Sequence, residues 1–227
     1  MPHGKRYQKI AKLIEKNKIY SLDEALLLLP QTAKTKFESS VEIHVRLGIN
    51  LKKPEHNIRT VTTLPHGTGK KIRIAVFAEG EKIEEAKSAG ADLIGNEELI
   101  EKIRTTGECD FDIAVATPDM MKKMAPIAKI LGPRNLMPSP KNETVTTQIK
   151  KIVEELKKGK ITMRNDATGN LHQLVGKISF PKEKLKENIL VFYETLKKVR
   201  PGGIKGNFIE SITLTTTMGP GIKVIVE

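Results

Sequence analysis

The sequence is poor in the residues that stabilise secreted proteins and build many metal sites. Its 227 residues include a single cysteine, Cys109. An internal disulfide is therefore impossible, and a zinc or iron–sulfur site built on several cysteines is excluded. There is no tryptophan, and aromatic residues make up only 4% of the chain. This composition is typical of a protein from a reducing compartment, so we expect a cytoplasmic location.

Long apolar segments are also missing. Runs such as residues 25–29 are far shorter than the ~20 apolar residues that span a bilayer. The residues that follow Met1 form a mixed polar pattern and not the apolar core of a secretory signal. We therefore expect neither a membrane partner nor secretion.

Acidic residues are too few to balance the basic ones, and the imbalance is local. Lys and Arg number 39 against 27 Asp and Glu, which gives a formal net charge of +12. Residues 68–159 hold 16 basic and 15 acidic residues, a net charge of +1, so residues 1–67 and 160–227 carry +11. This asymmetry predicts a basic domain that binds a polyanion and a nearly neutral second domain.

The hydrophobic pattern divides the chain at the same places. In the middle, strand patterns alternate with helix patterns, which predicts a parallel sheet flanked by helices. The strands are expected at residues 71–78, 92–94 and 112–117, and the helices at 81–89, 96–105, 119–131 and 147–157. At the two ends, an alternating strand is expected at residues 41–49 and a hairpin at residues 212–216 with 222–226. Three helices are expected there, at residues 6–16, 22–29 and 182–199.

The predicted fold class is therefore α/β combined with α+β, in two domains. Residues 1–67 and 160–227 form a discontinuous basic α+β domain, because each end alone is small for an independent core. Residues 68–159 form an inserted Rossmann-like βαβ domain. Gly67, Gly69 and Gly159 lie at the two crossings between the domains, and we predict that these glycines form a hinge.

The sequence gives little support to an enzyme. The segment around Gly67 and Gly69 resembles a phosphate-binding loop, but Leu64 replaces its first glycine and Lys71 replaces its Ser or Thr. The turn after the first middle strand carries Glu79 and Glu81, whose carboxylates would repel a pyrophosphate. A nucleotide-dependent enzyme remains the alternative from another class.

Candidates for catalysis or metal binding are equally weak. The five histidines lack short metal-ligand spacing; they are His3, His44, His56, His66 and His172. His44 is predicted to lie on the wet face of its strand, either solvated or facing a nucleic acid. Cys109, between two acidic residues, is expected to be an inert thiol. We predict no catalytic residues, no metal and no cofactor.

Four segments carry a specific resemblance. They are residues 35–42 (TKFESSVE), 131–141 (LGPRNLMPSPK), 163–172 (MRNDATGNLH) and 215–221 (TTTMGPG). In that order and spacing they closely resemble the family of the first protein of the large ribosomal subunit, the protein of the lateral stalk beside the tRNA exit site. The resemblance covers the whole chain, including the discontinuous two-domain layout.

The resemblance implies several functions. Members of this family bind a folded region of large-subunit (23S) rRNA at the mobile lateral stalk and take part in the release of deacylated tRNA from the exit site. Many bacterial members also repress translation of their own messenger. The expected partners are therefore large-subunit rRNA within the ribosome, exit-site tRNA and the protein's own mRNA, and the free protein is expected to be a monomer. A messenger-specific repressor outside the ribosome would use the same surface and stays open as a third possibility.

The resemblance also indicates where RNA binds, and the residue types fit that chemistry. The scarcity of aromatic residues argues against a stacking platform and favours recognition of RNA shape, phosphates and 2′-hydroxyl groups. The predicted RNA-binding residues are Lys36, Phe37, Ser40, Glu42, Arg164, Asp166, Thr168, His172, Ser211, Thr213, Thr215, Thr217, Met218, Gly219 and Gly221.

Each group in this set has a proposed role. The hydroxyls of Thr215, Thr216 and Thr217 donate to and accept from 2′-hydroxyl groups. Gly219 and Gly221 allow close approach of the backbone, and methionine and phenylalanine supply apolar contact. The carboxylates accept hydrogen bonds from RNA or orient neighbouring cations.

Structural alternatives stay open for several of these residues. In these alternatives, residues 215–221 form an ordinary hairpin turn, Phe37 belongs to the hydrophobic core, and Asp166 lies in a solvated turn. Residues 120–124 contain three methionines and are expected to fill the core. The lysine-rich helix at 182–198 is expected to be solvated, and residues 132–141 to form a proline-stiffened loop of uncertain role.

Overall fold

A computed structural model describes residues 4–15, 17–204 and 206–226. The chain divides into two compact units, one formed by Met1–Lys70 with Ile161–Glu227 and the other by Lys71–Lys160. We call them the basic unit and the inserted unit, because by sequence they carry net charges of +11 and +1.

The elements are numbered along the chain. The helices are α1 (Lys5–Ala11), α2 (Leu22–Thr32), α3 (Glu81–Ser88), α4 (Glu97–Thr106), α5 (Pro118–Lys123), α6 (Ala128–Leu131), α7 (Ile149–Lys158) and α8 (Lys182–Lys198). The strands are β1 (Tyr20–Ser21), β2 (Ser40–Leu47), β3 (Arg59–Thr63), β4 (Ile74–Phe77), β5 (Leu93–Gly95), β6 (Ile113–Ala116), β7 (Lys160–Arg164), β8 (Asn170–Lys177), β9 (Ile209–Thr216) and β10 (Ile222–Ile225). Short 3-10 turns occur at Pro54–His56, Ala125–Ile127 and Pro140–Asn142.

The basic unit is organised around a five-stranded sheet with the order β1-β10-β9-β2-β8. Strand β2 pairs antiparallel with both β8 and β9, and β1 pairs parallel with β10. Along β2 the side chains alternate, so Val41, Ile43, Val45 and Leu47 are buried. Helices α2 and α8 contact each other and the strands of this sheet, and their apolar residues complete one continuous core. The other side of the sheet carries the polar residues of the alternation.

The inserted unit has a parallel three-stranded sheet in the order β5-β4-β6. All four residues of β4 are buried, as expected for a strand covered on both faces. One apolar cluster contains Met120 and Met124, and a second contains the buried face of α7. The predicted fold class and the predicted core role of the methionines are thus confirmed.

Several boundaries differ from the predicted ones. The first helix is shorter than residues 6–16, since α1 ends at Ala11, and residue 16 lies outside the described residues. The predicted helix at 119–131 is divided into α5, a 3-10 turn and α6, because Pro126 cannot donate a helical hydrogen bond. Strands β3, β7 and β8 were not predicted. Their short or irregular alternation hides them from pattern analysis.

No helix among the described residues combines the length and the apolar character needed to cross a bilayer.

Candidate RNA interface

The register of β2 with its two neighbours gathers distant residues on one polar surface. Glu42 lies opposite Thr215 of β9, and His44 lies between Thr213 of β9 and His172 of β8. Directly opposed residues in antiparallel strands point to the same face. We call this surface the outer face and define it by residues 40, 42, 44 and 46 of β2, 170, 172 and 174 of β8, and 211, 213 and 215 of β9. Six predicted RNA-binding residues therefore share it: Ser40, Glu42, His172, Ser211, Thr213 and Thr215.

The turn between β9 and β10 lies at the end of this face. The backbone nitrogen of Gly219 donates to the carbonyl of Thr216 over 2.8 Å. Met218 has a φ of +63°, so the turn resembles type II, in which the third residue is left-handed. The side chain of Met218 is 65% exposed. An exposed methionine in a backbone conformation that favours glycine is unexpected for a purely structural turn.

Thr217 is tied to the start of β2. The backbone nitrogen of Ser40 donates to the Thr217 hydroxyl at 3.0 Å, and the Thr217 nitrogen donates to the Ser40 carbonyl at 3.0 Å. The Thr215 hydroxyl donates to carbonyls of the same turn, including that of Gly219 at 3.2 Å. The Thr217 hydroxyl also donates to the Ser40 carbonyl at 3.5 Å. Both hydroxyls thus have intramolecular acceptors for their protons, and only their remaining acceptor capacity is available to a ligand.

Thr216 corrects the expectation that all three threonines present hydroxyls to RNA. Its side chain is only 1% exposed, and its hydroxyl lies 3.1 Å from that of Thr32 in α2. The strand alternation turns it towards the core, in phase with Ile212 and Leu214.

The fold itself requires the small size of the two glycines in this turn. A Cβ on Gly219 would lie 2.3 Å from the Thr216 hydroxyl oxygen, and one on Gly221 would lie 2.7 Å from the Thr213 methyl carbon. The protein's own side chains therefore lie close to the backbone of these two glycines. Close approach of RNA to the same backbone stays a prediction.

The segment before β2 presents Lys36 and Phe37 to solvent. Phe37 is 55% exposed, so the interpretation of Phe37 as a core residue is wrong. The Thr35 hydroxyl donates to the Phe37 carbonyl at 2.7 Å and lies 2.8 Å from the Ser39 hydroxyl. These bonds fix the local backbone and leave the phenyl ring outside the core.

The turn between β7 and β8 is organised by Asp166. Its carboxylate accepts from the backbone nitrogens of Thr168 at 2.8 Å and Asn170 at 2.7 Å, and from the Thr168 hydroxyl at 2.8 Å. The hydrogen bonds from Asn170 and Thr168 hold the pKa of Asp166 well below its usual range. Arg164 is exposed at the end of β7. Asp166 therefore has a clear structural role, and the predicted contacts of this turn with RNA stay a prediction.

A histidine pair on the outer face was only half anticipated. The Nδ1 atoms of His44 and His172 lie 2.7 Å apart. His172 is among the predicted RNA-binding residues, whereas the sequence leaves either a solvated or a nucleic-acid-facing position open for His44. No sequence signal could join two residues 128 positions apart, because their meeting depends on the register of strands whose pairing the sequence does not show.

The three glycines predicted as a hinge each have a local role. Gly159 ends α7 with a left-handed φ of 109°. Gly67 accepts a hydrogen bond from the side chain of Asn188 at 2.9 Å. A Cβ on Gly69 would lie 2.8 Å from the Lys177 side chain. The chain crosses between the units next to Gly69 and Gly159, and the hinge itself stays a prediction.

Carboxylates lie near the carboxyl end of β4, where α/β sheets often bind nucleotides. Lys123 pairs with Glu79, which follows β4, and with Glu97 at 2.8 Å. Hydrogen bonds with these two carboxylates raise the pKa of Lys123. This ion-paired group offers no unpaired cation to a phosphate. Within the described part of the chain, no three His, Cys, Asp or Glu side chains are grouped so as to hold a metal ion.

A comparison with known protein families shows the class to which the chain belongs. A family model of ribosomal proteins matches residues 29–220, most of the chain. The chain belongs to the ribosomal protein L1p/L10e family.

Individual relatives agree along nearly the whole length. The chain is 56% identical to the large ribosomal subunit protein uL1 of Fervidobacterium nodosum, over 97% of this chain and 94% of the relative. It is 53% identical to the protein of the same name from Thermosipho africanus, over 98% and 96%. The corresponding protein of Kosmotoga olearia is 49% identical over 97% and 95%. The family resemblance inferred from the four sequence segments is confirmed.

Proposed function

We propose that this protein is a structural constituent of the large ribosomal subunit that binds folded large-subunit rRNA through the outer face and the 216–219 turn. The family is one of structural, non-enzymatic ribosomal proteins, and its bacterial members work in the cytoplasm. The observation that carries the RNA proposal is the shared face of Ser40, Glu42, His172, Ser211, Thr213 and Thr215 on the unit with a net charge of +11.

The chemistry of this surface suits a structured RNA. Its hydroxyl groups and its single-ring histidines provide hydrogen-bonding groups rather than wide stacking surfaces, and a sheet face is broad enough to meet an RNA minor groove. Lys36 and Arg164 are exposed cations that neutralise phosphates. Phe37 and Met218 add two exposed apolar side chains that exclude water from a sugar or a base.

Charge supplies a second, less specific contribution. An excess of positive charge attracts any polyanion and makes affinity depend on salt. The polar groups of the outer face then select the RNA by shape and by the 2′-hydroxyl. We therefore assign attraction to the whole basic unit and selection to the outer face with its turn.

The finer roles are also proposals. We infer from the family resemblance that the protein lies at the lateral stalk and takes part in release of deacylated tRNA from the exit site. Repression of its own messenger would use the same RNA surface. The free protein is proposed to be a monomer, since RNA and not a second copy is the expected partner of the polar face.

The test is direct binding to deproteinised large-subunit rRNA of Fervidobacterium nodosum. Thr213→Val keeps the β-branched shape and removes one outer-face hydroxyl. Its control is Thr63→Val, which makes the same change on an exposed position of β3, away from the outer face. We expect Thr213→Val to weaken binding about five- to thirtyfold, the equivalent of roughly 1–2 kcal/mol, and Thr63→Val to leave it unchanged.

Two results would contradict the proposal. The first is full-length protein that binds this rRNA no better than a random RNA of equal length. The second is equal binding by Thr213→Val, Thr63→Val and the unchanged protein. Co-sedimentation with large ribosomal subunits separates the ribosomal role from that of a repressor that binds only messenger RNA.

A further inference from the structure

His44 and His172 form a close pair on the outer face. Their Nδ1 atoms are 2.7 Å apart, and their ring centroids are 4.9 Å apart with the rings edge to face. The side chains are 31% and 54% exposed. A partner that covers the outer face therefore also covers the pair.

The short distance fixes how many protons the pair can hold. At 2.7 Å one Nδ1 donates and the other accepts, so two protons cannot occupy the gap between them. The pair is therefore neutral, with one proton missing from an Nε2 atom, or it is a cation with a single positive charge.

The neighbouring carboxylates favour the cation over the neutral pair. Nε2 of His44 lies 3.7 Å from a carboxylate oxygen of Glu42, and Nε2 of His172 lies 3.5 Å from one of Asp166. In the cation both Nε2 atoms carry protons, and each proton faces a carboxylate. In the neutral pair one lone pair faces a carboxylate instead, which is repulsive.

Other charges around the pair come from every neighbouring strand. The nearest charged residues are Glu42 and Arg46 of β2, Asp166 before β8, Glu210 of β9 and Lys223 of β10, whereas Lys177 of β8 lies farther along the sheet, opposite Ser40. Arg46 is occupied with Glu210 at 3.5 Å and with the Thr168 carbonyl at 3.0 Å. Burial and then the positive charge of His172 lower the pKa of His44, while Glu42 opposes them.

We propose that the His44–His172 pair is a proton-binding site within the RNA interface, and that RNA binding is coupled to uptake of one proton by the pair. The inference rests on the proposed function. A polyanion on the outer face stabilises the cation, so the pKa of the pair is higher in the complex than in the free protein. By linkage, RNA affinity then rises as pH falls through the interval between these two values and levels off below the lower one.

The experiment measures the dissociation constant with deproteinised Fervidobacterium nodosum large-subunit rRNA at constant ionic strength, from about pH 8 to about pH 5.5, the range in which histidine titrates. Uptake of one proton gives at most about a tenfold gain in affinity per pH unit. Calorimetry in two buffers of different ionisation enthalpy counts the proton directly. For the unchanged protein, we expect the number of protons taken up per RNA bound to approach one.

Two variants localise the effect. The double variant His44→Gln/His172→Gln removes both imidazoles that could take up the proton, so its affinity should vary little with pH. His66→Gln is the matched control, because His66 pairs with Glu187 of α8 and lies outside the outer face. It should keep the full dependence. Melting temperatures verify that each variant is folded.

The outcomes are distinguishable. Tight but pH-independent binding by the unchanged protein would overturn the proton coupling and leave the proposed function standing. A pH dependence that persists in the double variant His44→Gln/His172→Gln, or disappears in His66→Gln, would also overturn it. Absence of specific binding at every pH would overturn the proposed function and the coupling together.

Discussion

The Thr217 hydroxyl accepts a hydrogen bond from the backbone nitrogen of Ser40 at 3.0 Å, although the two residues are 177 positions apart. This bond joins the exposed turn after β9 to the first residue of β2. The side chain that we propose contacts RNA therefore also stabilises the turn.

Thr217→Val tests this double role. The variant removes the acceptor of the Ser40 nitrogen, so we expect the free energy of unfolding to fall by roughly 1 kcal/mol. RNA affinity should fall with it, because the turn loses its fixed position and one polar group. Thr217→Ser keeps the hydroxyl and should preserve both properties. Normal RNA binding by a destabilised Thr217→Val protein would show that the turn is structural only. Denaturant unfolding and RNA titration measure the two effects.

Met218→Gly should lower RNA affinity without lowering the stability of the fold. Glycine adopts the left-handed conformation of position 218 without steric cost, so stability should stay equal or rise by up to about 1 kcal/mol. RNA affinity should fall, because the exposed apolar side chain is lost. Asn135→Gly makes the same type of change at a φ of +56° in the inserted unit and should not affect RNA binding. Unchanged affinity of Met218→Gly would exclude the methionine from the interface.

Lys36→Ala tests a phosphate contact through its dependence on salt. If Lys36 neutralises one phosphate, the slope of log affinity against log salt should decrease by about one unit. Lys102→Ala removes an equally exposed charge from α4 of the inserted unit, and its slope should match that of the unchanged protein. Equal slopes for both variants would place Lys36 outside the phosphate contacts.

The two units should be separable. The large core of the basic unit contains residues from both chain ends and none from 71–160, while the inserted unit has its own clusters. Residues 1–70 joined to 161–227 by a short glycine linker should fold and retain most of the RNA affinity, with the salt dependence of the full chain. Residues 71–160 should fold without specific RNA binding. Circular dichroism and RNA titration of both fragments provide the check, and tight specific binding by 71–160 would reverse the assignment.

Asp166 should stay ionised in acid after ordinary aspartates have become protonated. Its pKa is held below the usual 3.8 in the folded state by hydrogen bonds from Asn170 and Thr168. A depressed pKa adds stability above the unfolded value, and that contribution is lost as pH falls through the folded pKa. NMR titration of the Asp166 carboxyl carbon measures the shift directly. If the titration midpoint of Asp166 were the same in the folded protein and in an unstructured peptide of residues 163–172, the lowered pKa would be contradicted.

Sequence patterns predicted the inserted unit better than the basic one. The strands of a parallel sheet are continuous apolar runs, as in residues 74–77, and can be found locally. The candidate site depends instead on register: His44 meets His172, and Glu42 meets Thr215, through pairings between strands far apart in the sequence. Thr216 was misplaced although a signal existed, since the buried positions 212 and 214 already set the phase of β9.

The insertion also dictates when each part of the protein can form during synthesis. Residues 71–160 emerge as a complete unit and can fold while the chain is still growing, since domains generally fold as units during translation. The sheet of the basic unit has to wait for β9 and β10, which are made last. The turn at 216–219 is made after β2, β8 and β9. A chain whose translation stops before β9 therefore lacks both the β9 part of the outer face and the turn through which we propose that RNA binds.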